Sequence, residues 1–213
     1  MSNNHSVLDK KKTPISSEHF LKRHFKSAFN SIDSNFFMEI RLIKGDKKES
    51  ILFRYPEIDG IWTEIKKWNE NGWDVFFGVN PRPLNKQKKE LDIVYINCLW
   101  VDVDVRPNGY FQKAVQARQF IESFPHKPSC IVDSGKGFHC YWYFKEPFLI
   151  KSPEDRKKVK QILSGLIKAL NADKSGKSLE RVMRLPGTLN HKYGKRCEIV
   201  EWNYEKTSNE LFD

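Results

Sequence analysis

No apolar run in the chain approaches the roughly 20 residues that a membrane-spanning helix needs. Residues 1–12 are polar and have no apolar centre of the kind a secretory signal carries. Those two absences point to a cytoplasmic protein with no membrane partner. Cysteine is scarce as well. Cys98, Cys130, Cys140 and Cys197 are widely spaced and form no Cys-x-x-Cys pair, so no zinc is expected, and the four read as small core residues in a reducing compartment. Walker-type phosphate loops, internal repeats and low-complexity linkers are also missing. Acidic residues are in deficit: 27 Asp and Glu against 37 Lys and Arg leave a formal net charge of +10 and a pI near 9.4. That balance favours a polyanionic partner such as a nucleic acid or a nucleotide.

With 213 residues, 39% of them hydrophobic, one substantial core can form, and nothing requires two independent domains. Residues 1–12 read as a flexible tail. A capped helix is expected over 16–29, carrying Phe20, Leu21, His24 and Phe25 on one face. Two strands over 36–44 and 50–55 flank a hairpin turn at 44–47, and a helix over 59–70 turns Ile61, Trp62, Ile65 and Trp68 inward. Further strands are expected over 73–79, 93–105, 129–133, 138–144 and 197–202, and helices over 110–124 and 153–171. Strands and helices mix without strict alternation, which predicts an α+β domain on a largely antiparallel sheet. The lysine-rich connection 84–91 is expected to be exposed.

The stretch Leu99-Trp100-Val101-Asp102-Val103-Asp104-Val105 reads as a buried strand. Side chains alternate across a strand, so Asp102 and Asp104 share one face. Two carboxylates so close repel unless a cation lies between them, and hard oxygen ligands suit Mg²⁺ or Mn²⁺; the alternative is a strand end with solvated acids. The loop Ser134-Gly135-Lys136-Gly137-Phe138-His139 is either an ordinary glycine turn or a phosphate cradle. In the second case glycine allows close backbone approach, and Ser134, Lys136 and His139 reach phosphate oxygens. Asp173 is either a turn or cap residue or a third carboxylate for the same metals. Arg181 and Arg184, near the turn Pro186-Gly187, could clamp a triphosphate in bidentate fashion or simply form a basic face. Arg82, held between Pro81 and Pro83, is a similar candidate.

These three stretches, in this order and continuing through Leu185-Pro186-Gly187-Thr188-Leu189-Asn190-His191-Lys192, resemble the archaeo-eukaryotic primase superfamily over roughly residues 73–202. The resemblance is greatest to the primase-polymerase branch of plasmid and phage replication proteins and of CRISPR-associated primase-polymerases. It implies an α+β catalytic core with an RRM-like antiparallel sheet over 91–205 and a smaller N-terminal α/β module over 16–90. It also implies template-directed nucleotidyl transfer from nucleoside triphosphates on single-stranded DNA. Asp102, Asp104 and Asp173 would bind two Mg²⁺ or Mn²⁺ ions. Ser134, Lys136, His139, Arg184, Asn190 and Arg82 would meet the nucleotide, and Lys192 and Arg181 the DNA. Many relatives carry a zinc-binding Cys/His element that this sequence lacks, and further domains of a longer parent protein are expected. Two other readings stay open. A rolling-circle endonuclease would need paired histidines where Phe138-His139-Cys140 offers one. A non-catalytic single-stranded nucleic-acid-binding module fits the charge but leaves three acids facing a phosphate backbone.

Overall fold

The computed structural model describes residues 16–31, 36–83 and 89–203; the expected tail 1–12 and the lysines at 86 and 88 lie outside them. The Ser16 hydroxyl accepts the His19 amide and opens α1 (Ser17–Ser31), whose Phe20, Leu21, His24, Phe25 and Ala28 are buried at helical spacing. Next come β1 (Phe36–Lys44) and β2 (Lys47–Phe53), joined through Gly45, then α2 (Ile58–Glu70), β3 (Asp74–Gly78) and β4 (Arg82–Pro83). β5 (Tyr95–Asp104) carries the paired acids. The following helix, α3 (Ala114–Ser123), is shorter than the sequence suggests. Its expected first turn is instead a loop, in which Val105 bridges Phe111 and the Arg106 amide donates to the Phe111 carbonyl.

β6 (Cys130–Asp133) and β7 (Gly137–Leu149) follow. β7 outruns its expected end because Ile96 and Tyr95 keep pairing with Phe148 and Leu149 past a bulge. Ser152 and Asp155 cap α4 (Pro153–Ala169) reciprocally, each accepting the other's amide. Four short strands complete the described residues, β8 (Val182–Arg184), β9 (Leu189–Asn190), β10 (Lys195–Arg196) and β11 (Glu198–Trp202).

Two antiparallel sheets result. One has the order β2-β1-β3-β8, with β4 also on β1; the other is β11-β6-β7-β5; β9 and β10 form a separate ribbon. The fold is therefore α+β. β8, from the second half of the chain, completes the first sheet beside β3. α1 is wedged between the sheets: Phe20 and His24 touch Phe77 of β3 on one side and Tyr141 of β7 on the other. One continuous apolar core results, and all four cysteines are buried free thiols within it. Among the described residues no helix is long and apolar enough to cross a membrane.

His24 ties this wedge together through polar contacts. One ring nitrogen meets the Val79 carbonyl and the other the Tyr143 hydroxyl, each at 2.8 Å. Both bonds suit the neutral ring, which donates to the carbonyl and accepts from the phenol. Burial lowers its pKa from an ordinary 6.5 to about 4, against the opposing pull of Val79. An unfolded histidine takes a proton near pH 6.5, so between about 6.5 and 4 the unfolded state binds more protons and stability falls as the pH falls. The expected loss is about 3 kcal/mol across that window, with buried His139 adding in the same direction. Urea unfolding at several pH values should show this slope, and His24→Gln should reduce it, leaving the His139 part, while lowering stability at neutral pH. An unchanged slope would show that His24 is not its source.

Candidate active site

Strand alternation sets the first two carboxylates. In β5, Asp102 and Asp104 lie opposite His139 and Gly137 of β7, on the face that also carries Trp100 and Tyr141. Both are about one-fifth to one-quarter exposed. The third arrives from the loop after α4, where the Asp173 amide donates to the Asp102 carbonyl at 2.7 Å. This bond occupies the free edge of β5 and fixes Asp173 beside the pair. Asp173 also caps the 3₁₀ turn Lys174–Lys177, accepting the Ser175 amide and hydroxyl. Burial pushes its carboxyl pKa up, but the Ser175 bonds and Arg181 outweigh burial and hold it below the usual carboxylate range.

The β6–β7 loop faces these acids. Gly137 packs so tightly on β5 that a Cβ there would lie 2.1 Å from the Val103 carbonyl oxygen, and Gly135 takes φ +86°. The loop is closed by the Ser134 amide and hydroxyl, both donating to the Gly137 carbonyl. Lys136 Nζ reaches Asp104 at 3.3 Å, and Arg106 pairs with the same carboxylate. His139 Nε2 lies 3.8 Å from Asp102. Burial lowers the His139 pKa, and Arg181 and Arg184 add to this against Asp102, so the ring is neutral at pH 7.

Between acids and loop lies a cavity of about 210 Å³. Every site residue expected from the sequence lines it except Asp173, one loop away, and Arg82. Arg82 is a correction: it is buried, paired with Glu39 at 2.8 Å and donating to the Glu180 carbonyl. The sequence showed an arginine between prolines but not the inward acid that draws it into the core. Arg181, expected on DNA, instead donates to Asp102 at 2.9 Å and Asp173 at 3.3 Å. Arg184 pairs with Asp74 at 2.7 Å and lies on the Phe76 ring. The Asn190 amide donates to the Ser134 carbonyl at 2.9 Å.

Tyr193 was missed: the Lys136 and Lys192 ammoniums both lie within 6 Å of its ring. Asp74 and Phe76 were missed too, although their alternation on β3 places both on the Arg184 side. His139 is the one histidine in the cavity wall, which disfavours the paired-histidine nuclease.

Three buried polar atoms of this cavity's residues lack a partner among the described residues, His139 Nδ1, Asn190 Oδ1 and Arg181 Nε. Three such groups at one cavity leave hydrogen-bonding capacity there for water or a ligand. The three carboxylates are hard oxygen donors of the kind Mg²⁺ and Mn²⁺ prefer. As placed, however, no three His, Cys, Asp or Glu residues among those described are close enough together to enclose a metal. Arg181, Lys136 and Arg106 supply the positive charge instead. The carboxylates suit a hard divalent cation by chemistry, but as they stand Arg181 bridges two of them.

Comparison of the whole chain with solved structures returns primase domains. The AEP domain of the cyanophage S-2L primase-polymerase superposes with a TM-score of 0.62 at 16% identity, covering 91% of this chain and 96% of that one. The chain has the fold of an archaeo-eukaryotic primase domain. The catalytic domain of primase RepB′ in complex with initiator DNA superposes with a TM-score of 0.61 at 16% identity, over 92% of this chain and 89% of that one. A curated "Replication protein" from Clostridium perfringens is 28% identical over 146 residues, 66% of this chain. The chain spans 35% of that relative's length. No family model matches.

Without Arg181, Asp102 and Asp173 would face each other with no counter-charge between them. In chelator at low salt, Arg181→Ala should therefore lower unfolding free energy by about 2 kcal/mol. Mn²⁺ should restore more stability to the variant than to the wild type. Equal stability in chelator would mean that Arg181 is not what holds the acids together.

Proposed function

We propose that the chain is the catalytic domain of a replication primase-polymerase that transfers nucleotides from nucleoside triphosphates to a 3′-hydroxyl on a single-stranded DNA template. The observation that carries the reading is the backbone bond from Asp173 to Asp102. It gathers three acids from two distant stretches opposite a loop bearing Lys136 and His139. The AEP fold and the 28% identity to a replication protein support the same reading, as does the initiator DNA bound to RepB′.

In the reaction the 3′-hydroxyl gives its proton to solvent as its oxygen bonds to the α-phosphorus, the bond from that phosphorus to the bridging oxygen breaks, and pyrophosphate leaves. Asp102, Asp104 and Asp173 would hold two Mg²⁺ or Mn²⁺ ions, which when bound activate the attacking hydroxyl and offset charge on the leaving group. Arg181, displaced from the carboxylates, becomes a free guanidinium at the cavity wall. Lys136 adds a point charge, and Arg184 offers its remaining donors from a plane fixed by Phe76 and Asp74. Neutral His139 and the amide of Asn190 keep hydrogen-bonding capacity for phosphate or sugar oxygens. Lys192 and Tyr193 stand at the cavity mouth, where a template base or phosphate would enter.

The test is incubation with single-stranded template, with and without an annealed primer, labelled ribo- or deoxynucleotides, and Mg²⁺ or Mn²⁺. The expected outcome is extended product that disappears in the double variant Asp102→Ala/Asp104→Ala, whose template binding stays intact or tightens. Product from the double variant, or none from the wild type with any nucleotide or metal, would overturn the reading.

A further inference from the structure

A larger concavity opens on the other side of the Asp173 loop. A groove of about 680 Å³ runs between Tyr110 and the C-terminal half of α4, and a second of about 510 Å³ continues along the N-terminal half. Ser164 and Lys177 line both, so the two form one trough following α4, a helix about 25 Å long.

The charge in this trough is uncompensated. Lys157, Lys168, Lys174 and Lys177 line it, all exposed and with no ion-pair partner among the described residues. Two other cations of α4 are committed elsewhere: Arg156 donates to the carbonyls of Glu90, Leu91 and Ile93, and Lys160 pairs with Glu90. Glu90, the acid in the described wall, is thereby neutralised. At the other end Tyr110 is 67% exposed, yet its ring is propped by the edges of Phe111 and Phe120 at 4.8 and 6.1 Å. A fixed, solvent-facing ring beside a row of free ammonium groups is the combination that holds bases by stacking and phosphates by charge.

We infer that this trough is a binding track for single-stranded nucleic acid, with phosphates on the four lysines and a base on Tyr110. Asn171, Ala172 and Lys174, the sequence neighbours of Asp173, form its wall, so a strand lying in it would pass the outer side of the loop that carries the third carboxylate. That last step rests on the function proposed above, whereas the binding track itself rests on charge and shape.

The test measures binding of a fluorescent polypyrimidine DNA oligonucleotide to the full chain over a range of salt, without nucleotides. Lys168→Ala/Lys177→Ala should weaken binding about tenfold and reduce the slope of log affinity against log salt by about 1.4, roughly 0.7 for each phosphate that is no longer neutralised. Tyr110→Ala should weaken it about fivefold or more with the slope unchanged. The control pair Lys47→Ala/Lys48→Ala, exposed on the hairpin of the other sheet, should do neither. Thermal unfolding confirms that each variant is folded. Unchanged affinity in the lysine pair, an equal loss in the control, or equal competition by polyglutamate would overturn the proposal. Nucleotide incorporation is read separately: no synthesis with the lysine effect intact would leave the track standing and remove the primase reading.

Discussion

Three carboxylates gathered at the end of one sheet repel one another, and the surrounding fold is arranged so that cations and backbone amides hold them there. The decisive contact is the bond from the Asp173 amide to the Asp102 carbonyl. It takes the hydrogen-bonding edge of β5 that another strand would otherwise use and makes the loop after α4 part of the site. Arg181 then spans Asp102 and Asp173 while Lys136 and Arg106 hold Asp104. The side chains that pair with the acids, Arg181, Lys136 and Arg106, are those that a triphosphate would also attract.

The remainder of the architecture positions this cluster. α1, wedged between the sheets through Phe20 and His24, fixes how β3 and β8 stand relative to β7, and so where Arg184 and Phe76 meet the cavity. Gly137 lets the loop close down on the Val103 carbonyl, which brings Lys136 to Asp104. The buried Glu39–Arg82 pair ties β4 to the centre of β1. Such a pair adds little net stability against apolar replacements of the same size, but losing one partner is costly.

Local pattern in the sequence was enough for much of this. Alternation around Asp102 and Asp104 puts both on one face, and the start of α4 at Pro153 and the Gly135–Gly137 loop stand where the sequence pattern places them. Partnership across long sequence distances was not legible. Periodicity could not bring Asp173 to Asp102: local pattern left it open as a turn residue or a third carboxylate, and the resemblance to primases favoured the second. Nor could it foretell that Arg181 would bridge two acids or that Arg82 would be drawn inward by Glu39. The shortened α3 reflects a tertiary bridge at Phe111 overriding helix propensity. Tyr193 and Tyr110 were hidden because exposure of an aromatic depends on the whole fold.

On the proposed function, Asp102, Asp104 and Asp173 form one cation site at which metal takes the place now held by Arg181 between Asp102 and Asp173. A crystal structure of the chain with Mn²⁺ and a non-hydrolysable nucleoside triphosphate tests it most directly. The predicted result is anomalous density among the three carboxylates, Arg181 turned away from them, and the triphosphate against Lys136 and His139. Anomalous density elsewhere, or Arg181 still bridging Asp102 and Asp173 with the triphosphate bound, would contradict it.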